Sequence, residues 1–301
     1  MTARTRPALI LAGLATAGLA LSACGSDSLS TGGGTQSSQA VPSATANADL
    51  VAKVPEKIKS KGTITIGVDA SYAPNEFLDT DGKTVIGMDV DVFNAVAQQF
   101  GLKTEWVPAK FDSIIVGVQS GKYDIGVSSF TVNDKRKEQV NMVSYFNAGT
   151  QWAAAPGNPK KVDGTKPCGL KVAVQKGTVQ EEEDLPAKVK ACQAEGKPIT
   201  VQPYTGQDQA TAAVATGKAD AMLADSPIVA YAVKQSGGKI EAVGEIYDAA
   251  PYGYVVPKAE TEWAQAIADA LKATDTAGAY KKALGNWGVE DGAITDFAVN
   301  P

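Results

Sequence analysis

Two segments of this chain repeat one unit, and the repeat limits the fold more than any other feature. Residues 117–129 and 213–225 each contain the end of a helical segment, a Gly-Lys pair, an aspartate two positions later, and a strand-like run that ends in polar residues. Glycine suits the left-handed conformation that ends a helix, and a lysine there favours the negative helix end. A unit that is used twice predicts two similar α/β lobes.

The polar residues that end the two copies have complementary chemistry. The first copy ends in Ser128 and Ser129, with Thr131 and Arg136 shortly after, whereas the second ends in Asp225. Ligands bind at strand ends in α/β sheets, and an arginine fork binds a carboxylate through two parallel hydrogen bonds. An arginine facing an aspartate across a cleft would suit a zwitterion. The alternative is an ordinary surface turn with a solvated arginine, because turns use the same residue types.

The N-terminal residues are typical of an export signal. Residues 1–6 carry two arginines and no acid, residues 7–21 are almost wholly apolar, and Leu21-Ser22-Ala23-Cys24 follows. The apolar run is shorter than a membrane span prefers. The four-residue motif resembles the bacterial lipobox, which predicts a lipoprotein signal peptide over 1–23 and lipidation of Cys24. Such an anchor would hold the protein at the extracytoplasmic face of the cell membrane. A plain signal peptide with an incidental cysteine is the alternative.

Residues 24–49 are mostly Ser, Gly, Thr, Gln and Ala, and we expect a flexible tether there. A disordered tail with no role is the alternative.

Composition excludes several classes of function. The chain has 28 Lys plus Arg against 33 Asp plus Glu, which argues against nucleic acid as a partner. It has no histidine, which removes Ser-His-Asp and Cys-His catalysis and histidine metal sites. No glycine-rich phosphate-binding motif is present. We therefore expect no metal, no cofactor and no catalytic residue.

The segment Gly-Met-Asp-Val-Asp-Val-Phe-Asn-Ala-Val-Ala at residues 87–97 resembles the signature of the family 3 extracellular solute-binding proteins, the polar amino-acid receptors of ABC importers. Other motifs match that family in order and spacing: 72–74, 111–112, 128–131, 134–136, 177–180 and Asp225. The resemblance runs from about Gly62 to the C-terminus. Met88 departs from it, because the family usually has Phe or Tyr there, and this position is interpreted as core packing.

The resemblance implies an α/β, two-lobe periplasmic-binding-protein-like fold of type II, with two crossover strands and a ligand cleft between the lobes. We expect residues 50–150 and 251–301 to form the first lobe and residues 151–250 the second. The crossover strands are expected at residues 151–155 and 252–256.

The resemblance also implies roles for individual residues. Arg136 would bind the ligand's α-carboxylate, and Asp225 would bind its α-ammonium with help from the Ser129 carbonyl or hydroxyl. Thr131, Thr178 and backbone amides at a helix start would assist the carboxylate. The complete set of predicted ligand-binding residues is Asp69, Tyr72, Glu76, Phe111, Ser128, Ser129, Thr131, Arg136, Thr178, Val179, Gln180 and Asp225.

Four of these residues have a plain structural alternative. Tyr72 and Phe111 would sandwich the ligand's side chain, although both could be core aromatics. Asp69, Asn75 and Glu76 lie where the family binds the far end of that side chain, and Asp69 and Glu76 would favour a cationic or amide group if both face the pocket. Asp69 could instead be a strand-end cap, and Glu76 a solvated loop charge.

Cys168 and Cys192 are the two cysteines that remain after Cys24. An even pair in an exported protein predicts a disulfide. It would close a loop of roughly 24 residues, for which chain entropy indicates about 3 kcal/mol of stabilisation.

Together these features predict the extracytoplasmic substrate-binding component of an ABC importer. We expect a monomeric lipoprotein that binds a free polar, amide or cationic amino acid and works with permease subunits. One alternative is an exported dehydratase-type enzyme on the same fold, but a cyclic acid would have little use for Asp225. A ligand sensor for a membrane kinase is the other alternative.

Overall fold

The computed structural model of the protein describes residue 41 and residues 45–301. The predicted signal peptide, the predicted lipidation site Cys24 and most of the predicted tether lie outside these residues. None of the helices in the described part is both long enough and apolar enough to cross a bilayer.

Eleven strands occur in the described part of the chain, in two sheets. Their bounds are β1 (Thr63–Val68), β2 (Ser71–Tyr72), β3 (Glu76–Leu78), β4 (Val85–Ile86), β5 (Lys103–Pro108), β6 (Ile125–Gly126), β7 (Val140–Ala154), β8 (Lys171–Gln175), β9 (Thr200–Tyr204), β10 (Ala221–Asp225) and β11 (Glu241–Pro257). The large mixed sheet has the order β5-β1-β6-β11-β7-β10-β8-β9, and β2-β3-β4 form a small antiparallel sheet.

The two longest strands, β7 and β11, pair antiparallel over most of their length and cross between two lobes. The end of β11 pairs with β6 through Val255 and Gly126, and the far end of β7 pairs with β10 from Ala154 to Thr150. We call the half with β5, β1 and β6 the first lobe, and the half with β10, β8 and β9 the second lobe. This architecture confirms the predicted two-lobe α/β class with two crossover strands.

Both crossover strands are longer than the sequence pattern predicted. Residues 140–150 belong to β7 and are nearly all buried, although polar side chains interrupt the apolar run. Two of them bond the C-terminal half of the chain: Asn141 Nδ2 donates to the Pro257 carbonyl (3.0 Å), and Ser144 Oγ to the Asp296 carbonyl (3.2 Å). A local sequence pattern cannot predict hydrogen-bond partners that lie so far along the chain.

Ten α-helices flank the sheets in the described residues. Their bounds are α1 (Ala48–Ala52), α2 (Glu56–Lys61), α3 (Met88–Gln99), α4 (Phe111–Gln119), α5 (Asp134–Gln139), α6 (Leu185–Ala194), α7 (Gln207–Ala215), α8 (Ser226–Gln235), α9 (Thr261–Thr276) and α10 (Ala279–Trp287). A π-helical turn spans Gln180–Asp184, and a 3-10 turn spans Glu290–Gly292. The first two helices, α1 and α2, are separate, because Pro55 cannot continue the first.

The repeated unit has the same backbone conformation in both lobes. Helix α4 leads to Gly121 with φ +74°, and helix α7 leads to Gly217 with φ +73°. Both glycines therefore occupy the left-handed region that the sequence predicted for a helix end. Strands β6 and β10 then run parallel to β1 and β8, respectively. The polar residues after β6 and at the end of β10 are thus placed at corresponding edges of the two lobes.

Each lobe has its own buried core. In the first lobe, Trp263, Ile267 and Leu271 recur at helical spacing in α9 and are buried together with α3 and the strands. In the second lobe, Trp152 and Val174 lie in a core that includes Cys192. The predicted disulfide between Cys168 and Cys192 is present, and it joins the loop before β8 to α6.

Candidate ligand-binding site

Eight of the twelve predicted residues line one small cavity between the lobes. The lining residues are Tyr72, Phe111, Ser129, Thr131, Arg136, Thr178, Val179 and Asp225. The cavity measures about 10 Å³, which is room for about one water molecule. Three larger cavities, of about 440, 770 and 360 Å³, contain none of the twelve predicted residues. The lobes are therefore closed on one another around these side chains.

Arg136 is a buried cation at this cavity, with 7% of its surface exposed. Its Nη1 donates to the Thr131 carbonyl (2.7 Å), and its Nη2 crosses to the second lobe to donate to the Gly177 carbonyl (3.1 Å). The rings of Phe111 and Phe130 lie 5.5 and 5.4 Å from the guanidinium carbon. Burial lowers the pKa of Arg136, because it disfavours the charged form. A desolvated guanidinium held by carbonyls and rings is suited to a carboxylate.

Asp225 ends β10 on the other side of the cavity and is 5% exposed. Its carboxyl accepts three hydrogen bonds of 2.7 Å, from the hydroxyls of Tyr72 and Tyr252 and from Gln180 Nε2. Burial raises the pKa of Asp225, while these donors and Arg136 lower it. A buried carboxyl that gathers donors in this way is suited to an ammonium group.

Tyr252 was not predicted as a site residue, and its contact with Asp225 joins β11 to β10. The sequence offers no signal for it beyond its place in a crossover strand. Gln180 was predicted, and it contacts Asp225 without lining the cavity. It reaches Asp225 from the π-helical turn, where the sequence predicted an ordinary helix start.

Thr178 lines the cavity, but other groups already occupy its hydroxyl. Thr178 Oγ1 donates to the Gln175 carbonyl (2.8 Å) and accepts from the Glu181 amide (3.3 Å). It therefore caps the turn that begins there. The cavity wall at this point combines Thr178 with Val179.

Asp69 lies next to the cavity rather than on its wall. Its carboxyl accepts from the Ser71 amide (3.0 Å), from the Phe111 amide (3.0 Å) and from Gln175 Nε2 of the second lobe (3.1 Å). Burial raises the pKa of Asp69, and the hydrogen bonds from Ser71 and Phe111 oppose that rise. The carboxyl thus caps the loop after β1 and also meets the other lobe.

Glu76 and Ser128 are buried behind the cavity wall. Ser128 Oγ accepts from the Asp69 amide (3.0 Å) and donates to Glu76 Oε1 (3.2 Å). Glu76 Oε2 lies 3.1 Å from Ser129 Oγ, which Asn75 also contacts. The hydroxyl of Ser129 is therefore occupied within the first lobe, which leaves its carbonyl as the group available to a ligand.

Further bonds cross between the lobes beside the cavity. Lys176 Nζ lies 2.8 Å from Asp112 Oδ2, and the Gln207 amide donates to Ser71 Oγ (3.0 Å). These bonds, together with that between Tyr72 and Asp225, hold the two lobes in the closed arrangement.

Comparison with known proteins agrees with this geometry. Residues 64–290 match the profile of the bacterial extracellular solute-binding proteins, family 3. The arginine-binding protein ArgT of Corynebacterium glutamicum is 38% identical over 253 residues, covering 84% of this chain and 83% of that protein. An ancestral arginine-binding protein bound to arginine matches with a TM-score of 0.68 at 31% identity, covering 75% and 98% of the two chains. The ancestral amino acid-binding protein AncCDT-1, a precursor of cyclohexadienyl dehydratase, matches with a TM-score of 0.68 at 31% identity, covering 77% and 98%.

Proposed function

Because the chain belongs to the bacterial extracellular solute-binding proteins of family 3, we propose that it captures a cationic amino acid, with arginine as the first candidate, for an ABC importer. The general class is amino-acid binding, and the relatives are solute-binding proteins rather than enzymes. The dehydratase alternative is therefore not favoured.

The observation that carries the proposal is the pair of opposite charges on one buried cavity. Arg136 approaches it from the first lobe and Asp225 from the second. A free amino acid presents a carboxylate and an ammonium on one carbon, so it can satisfy both charges at once. Each group is desolvated, and a ligand that lacked one of the two charges would leave the other protein group unpaired.

The walls of the cavity favour a cationic side chain. Tyr72 and Phe111 supply aromatic rings, whose faces attract a guanidinium or an ammonium group. Asp69 lies next to them with a carboxyl that Gln175 contacts across the cleft. We propose that the ligand's side-chain cation takes the place of Gln175 on Asp69. The similarity to ArgT and to the ancestral protein, both arginine-binding proteins, supports this class.

The closed cavity is too small for an amino acid, so capture requires the lobes to separate and then close. The bond from Tyr72 to Asp225 and the bond from Arg136 to Gly177 both join the lobes directly. We propose that the ligand's ammonium and carboxylate compete for these same groups as the lobes close around it.

We further propose that Cys24 is lipidated and that the tether links the receptor to the extracytoplasmic face of the membrane. The lipobox-like motif supports this, together with membership of an extracellular solute-binding family. The closed pair of lobes would then present its surface to the permease subunits of the importer.

Thermal melting of residues 45–301 against all twenty amino acids tests the proposal. A ligand at a hundred times its dissociation constant stabilises the folded protein by about 2.7 kcal/mol, which raises the melting temperature measurably. We expect the largest rise with arginine or lysine. If only a neutral amino acid raises the melting temperature, the proposed cationic ligand class is refuted. If no amino acid raises the melting temperature, the proposed amino-acid-binding function is refuted.

The substitution Asp225→Asn tests the ammonium site. Truncating one partner of a buried charge pair typically costs about 2–5 kcal/mol, which weakens binding about 30- to 5,000-fold. Asp134→Asn is the control, because the Asp134 side chain is 94% exposed. Isothermal titration calorimetry measures both variants. Equal affinities of the wild type and Asp225→Asn for the ligand would refute the proposal that Asp225 binds the ammonium group of a zwitterion.

A further inference from the structure

Two buried carboxyl groups meet at the hydroxyl of Ser129, directly behind the wall of the ligand cavity. Glu76 of β3 and Asp89 of α3 are each 0% exposed, and Glu76 Oε2 and Asp89 Oδ2 lie 3.1 and 3.3 Å from Ser129 Oγ. None of the ion pairs among the described residues includes either of them. Two adjacent carboxylates without a cation would be very unfavourable in a protein interior.

The carboxyl oxygens of Glu76 and Asp89 have one hydrogen-bond donor too few. Asp89 Oδ2 accepts from the Tyr145 hydroxyl (2.6 Å) and from the Ser129 amide (3.0 Å). Asp89 Oδ1 is buried, and no N–H or O–H group of the described residues donates to it. Ser129 Oγ lies near both carboxyls but carries a single proton, so it can donate to only one of them. A proton on Glu76 supplies the missing donor.

The pair is connected to the cavity through Ser129. Ser129 has a backbone φ of +49°, a left-handed conformation that is uncommon for residues other than glycine. Asp89 holds its amide, and Glu76, Asp89 and Asn75 surround its hydroxyl. Strained backbone of this kind persists only where neighbouring groups hold it, and it concentrates at functional sites.

We propose that Glu76 and Asp89 share one proton at neutral pH, and that this pair is a positioning element that holds Ser129 at the wall of the ligand site. Glu76 then acts through Ser129 and makes no contact with the ligand's side chain. The effect on affinity rests on the proposed amino-acid binding, whereas the shared proton does not.

The surroundings of the pair support a retained proton. Burial raises the pKa of Glu76 well above its ordinary value, and Asp89 and Asp69 raise it further. Burial also raises the pKa of Asp89 to about 6, although its donors oppose the rise. The other titratable groups that face the pair are Asp69 and three tyrosines, Tyr72, Tyr145 and Tyr254, and none of them is a cation.

The first test needs no ligand. Carbon-13 NMR of the side-chain carboxyls, followed from pH 4 to pH 9, reports the protonation of each group. We expect one carboxyl of the pair to remain protonated at pH 7 in the wild type, and the signal of that protonated carboxyl to be absent in Glu76→Gln. Two ionised carboxyls at pH 7 would overturn the proposal.

The second test separates positioning from ligand contact. Calorimetry at pH 7 compares arginine and glutamine as probes, with the exposed Glu262→Gln as the matched control. Glutamine at position 76 keeps the shape and supplies a donor, so we expect Glu76→Gln to bind each probe within about threefold of the wild type. Glu76→Ala releases Ser129, and we expect both probes to weaken alike, by about 5- to 150-fold.

Each other outcome has one meaning. If Glu76→Gln weakens the binding of arginine but not that of glutamine, Glu76 contacts the ligand's side chain. Unchanged affinity in Glu76→Ala would show that the pair does not position the site. If Glu76→Ala does not fold, Glu76→Gln and the NMR titration still decide. If the wild type binds neither probe, the proposed function fails while the titration still tests the shared proton.

Discussion

Gly177 is the point at which lobe closure can be perturbed without replacing a charged residue. It lies in the loop after β8 with φ +80°, and its carbonyl accepts from Arg136 of the first lobe. A Cβ added there would lie 2.9 Å from the Cβ of Asp112, at the start of α4 in the first lobe. Cβ atoms in real proteins essentially never approach another atom so closely. Gly177→Ala should therefore disfavour the closed arrangement while it leaves the open one unclashed.

The expected effect has two parts. The first is the left-handed conformation, which costs a residue other than glycine about 1–2 kcal/mol in every state of the folded protein. The second exists only when the lobes are closed, where overpacking typically costs about 1–3 kcal/mol. Because ligand binding requires closure, only the second part weakens binding, by about 5- to 150-fold.

Gly169→Ala is the matched control for the first part. Gly169 lies in the same lobe with φ +82°, and an added Cβ there would meet no atom within 4 Å. Both variants should lower the melting temperature of the ligand-free protein by similar amounts, while calorimetry with arginine should show weaker binding for Gly177→Ala alone. If the two variants bind arginine equally well, closure at the contact between Gly177 and Asp112 is not part of binding.

Three further predictions follow from the same geometry. Arg136→Lys should weaken amino-acid binding about 10- to 150-fold in calorimetry, because a lysine cannot form two parallel bonds to a carboxylate; an equal affinity would contradict carboxylate binding by Arg136. Replacing Cys168 and Cys192 with serine should lower the unfolding free energy in urea by about 3 kcal/mol and leave affinity unchanged; an unchanged midpoint and slope would contradict it. In the folded protein, burial raises the pKa of Asp89 from 3.8 to about 6. The contribution of Asp89 to the free energy of unfolding is therefore fully present below pH 3.8 and is lost as the pH rises through 6. The unfolding free energy of the wild type relative to Asp89→Asn should fall across that window by up to about 1.4 kcal/mol per pH unit, and parallel profiles would refute it.

The sequence carries enough information to locate the site because its main residues follow local rules. The helix–Gly-Lys–strand unit fixes where β6 and β10 end, and the polar residues at those ends meet once the strands pair. Arg136 follows one strand at short range, and Asp225 ends the other. Their placement needs only two strand ends and one cleft, so a pattern of a few residues is sufficient.

The surroundings of Asp69 and Asp225 could not be predicted, because they depend on partners far along the chain. Gln175 reaches Asp69 from 106 residues away, and Tyr252 reaches Asp225 from 27 residues away. A loop acid looks the same in sequence whether it faces a ligand, caps a helix or shares a proton. Glu76 shows this most clearly, because Asp89, another acid from α3, raises the pKa of this buried carboxyl.

Under the proposed function, the closed arrangement would also select zwitterions over ions that carry a single charge. The hydrogen bonds that join the lobes at Asp225, Asp69 and Arg136 each involve a charged group and are worth about 1.5–3 kcal/mol net. Closure also removes water from a cation and a carboxyl in the same small cavity. A ligand with only a carboxylate or only an ammonium satisfies one of them and leaves the other desolvated, at a cost of several kcal/mol. A free amino acid satisfies both, so the energy of closure itself distinguishes it from amines and from carboxylic acids with the same side chain.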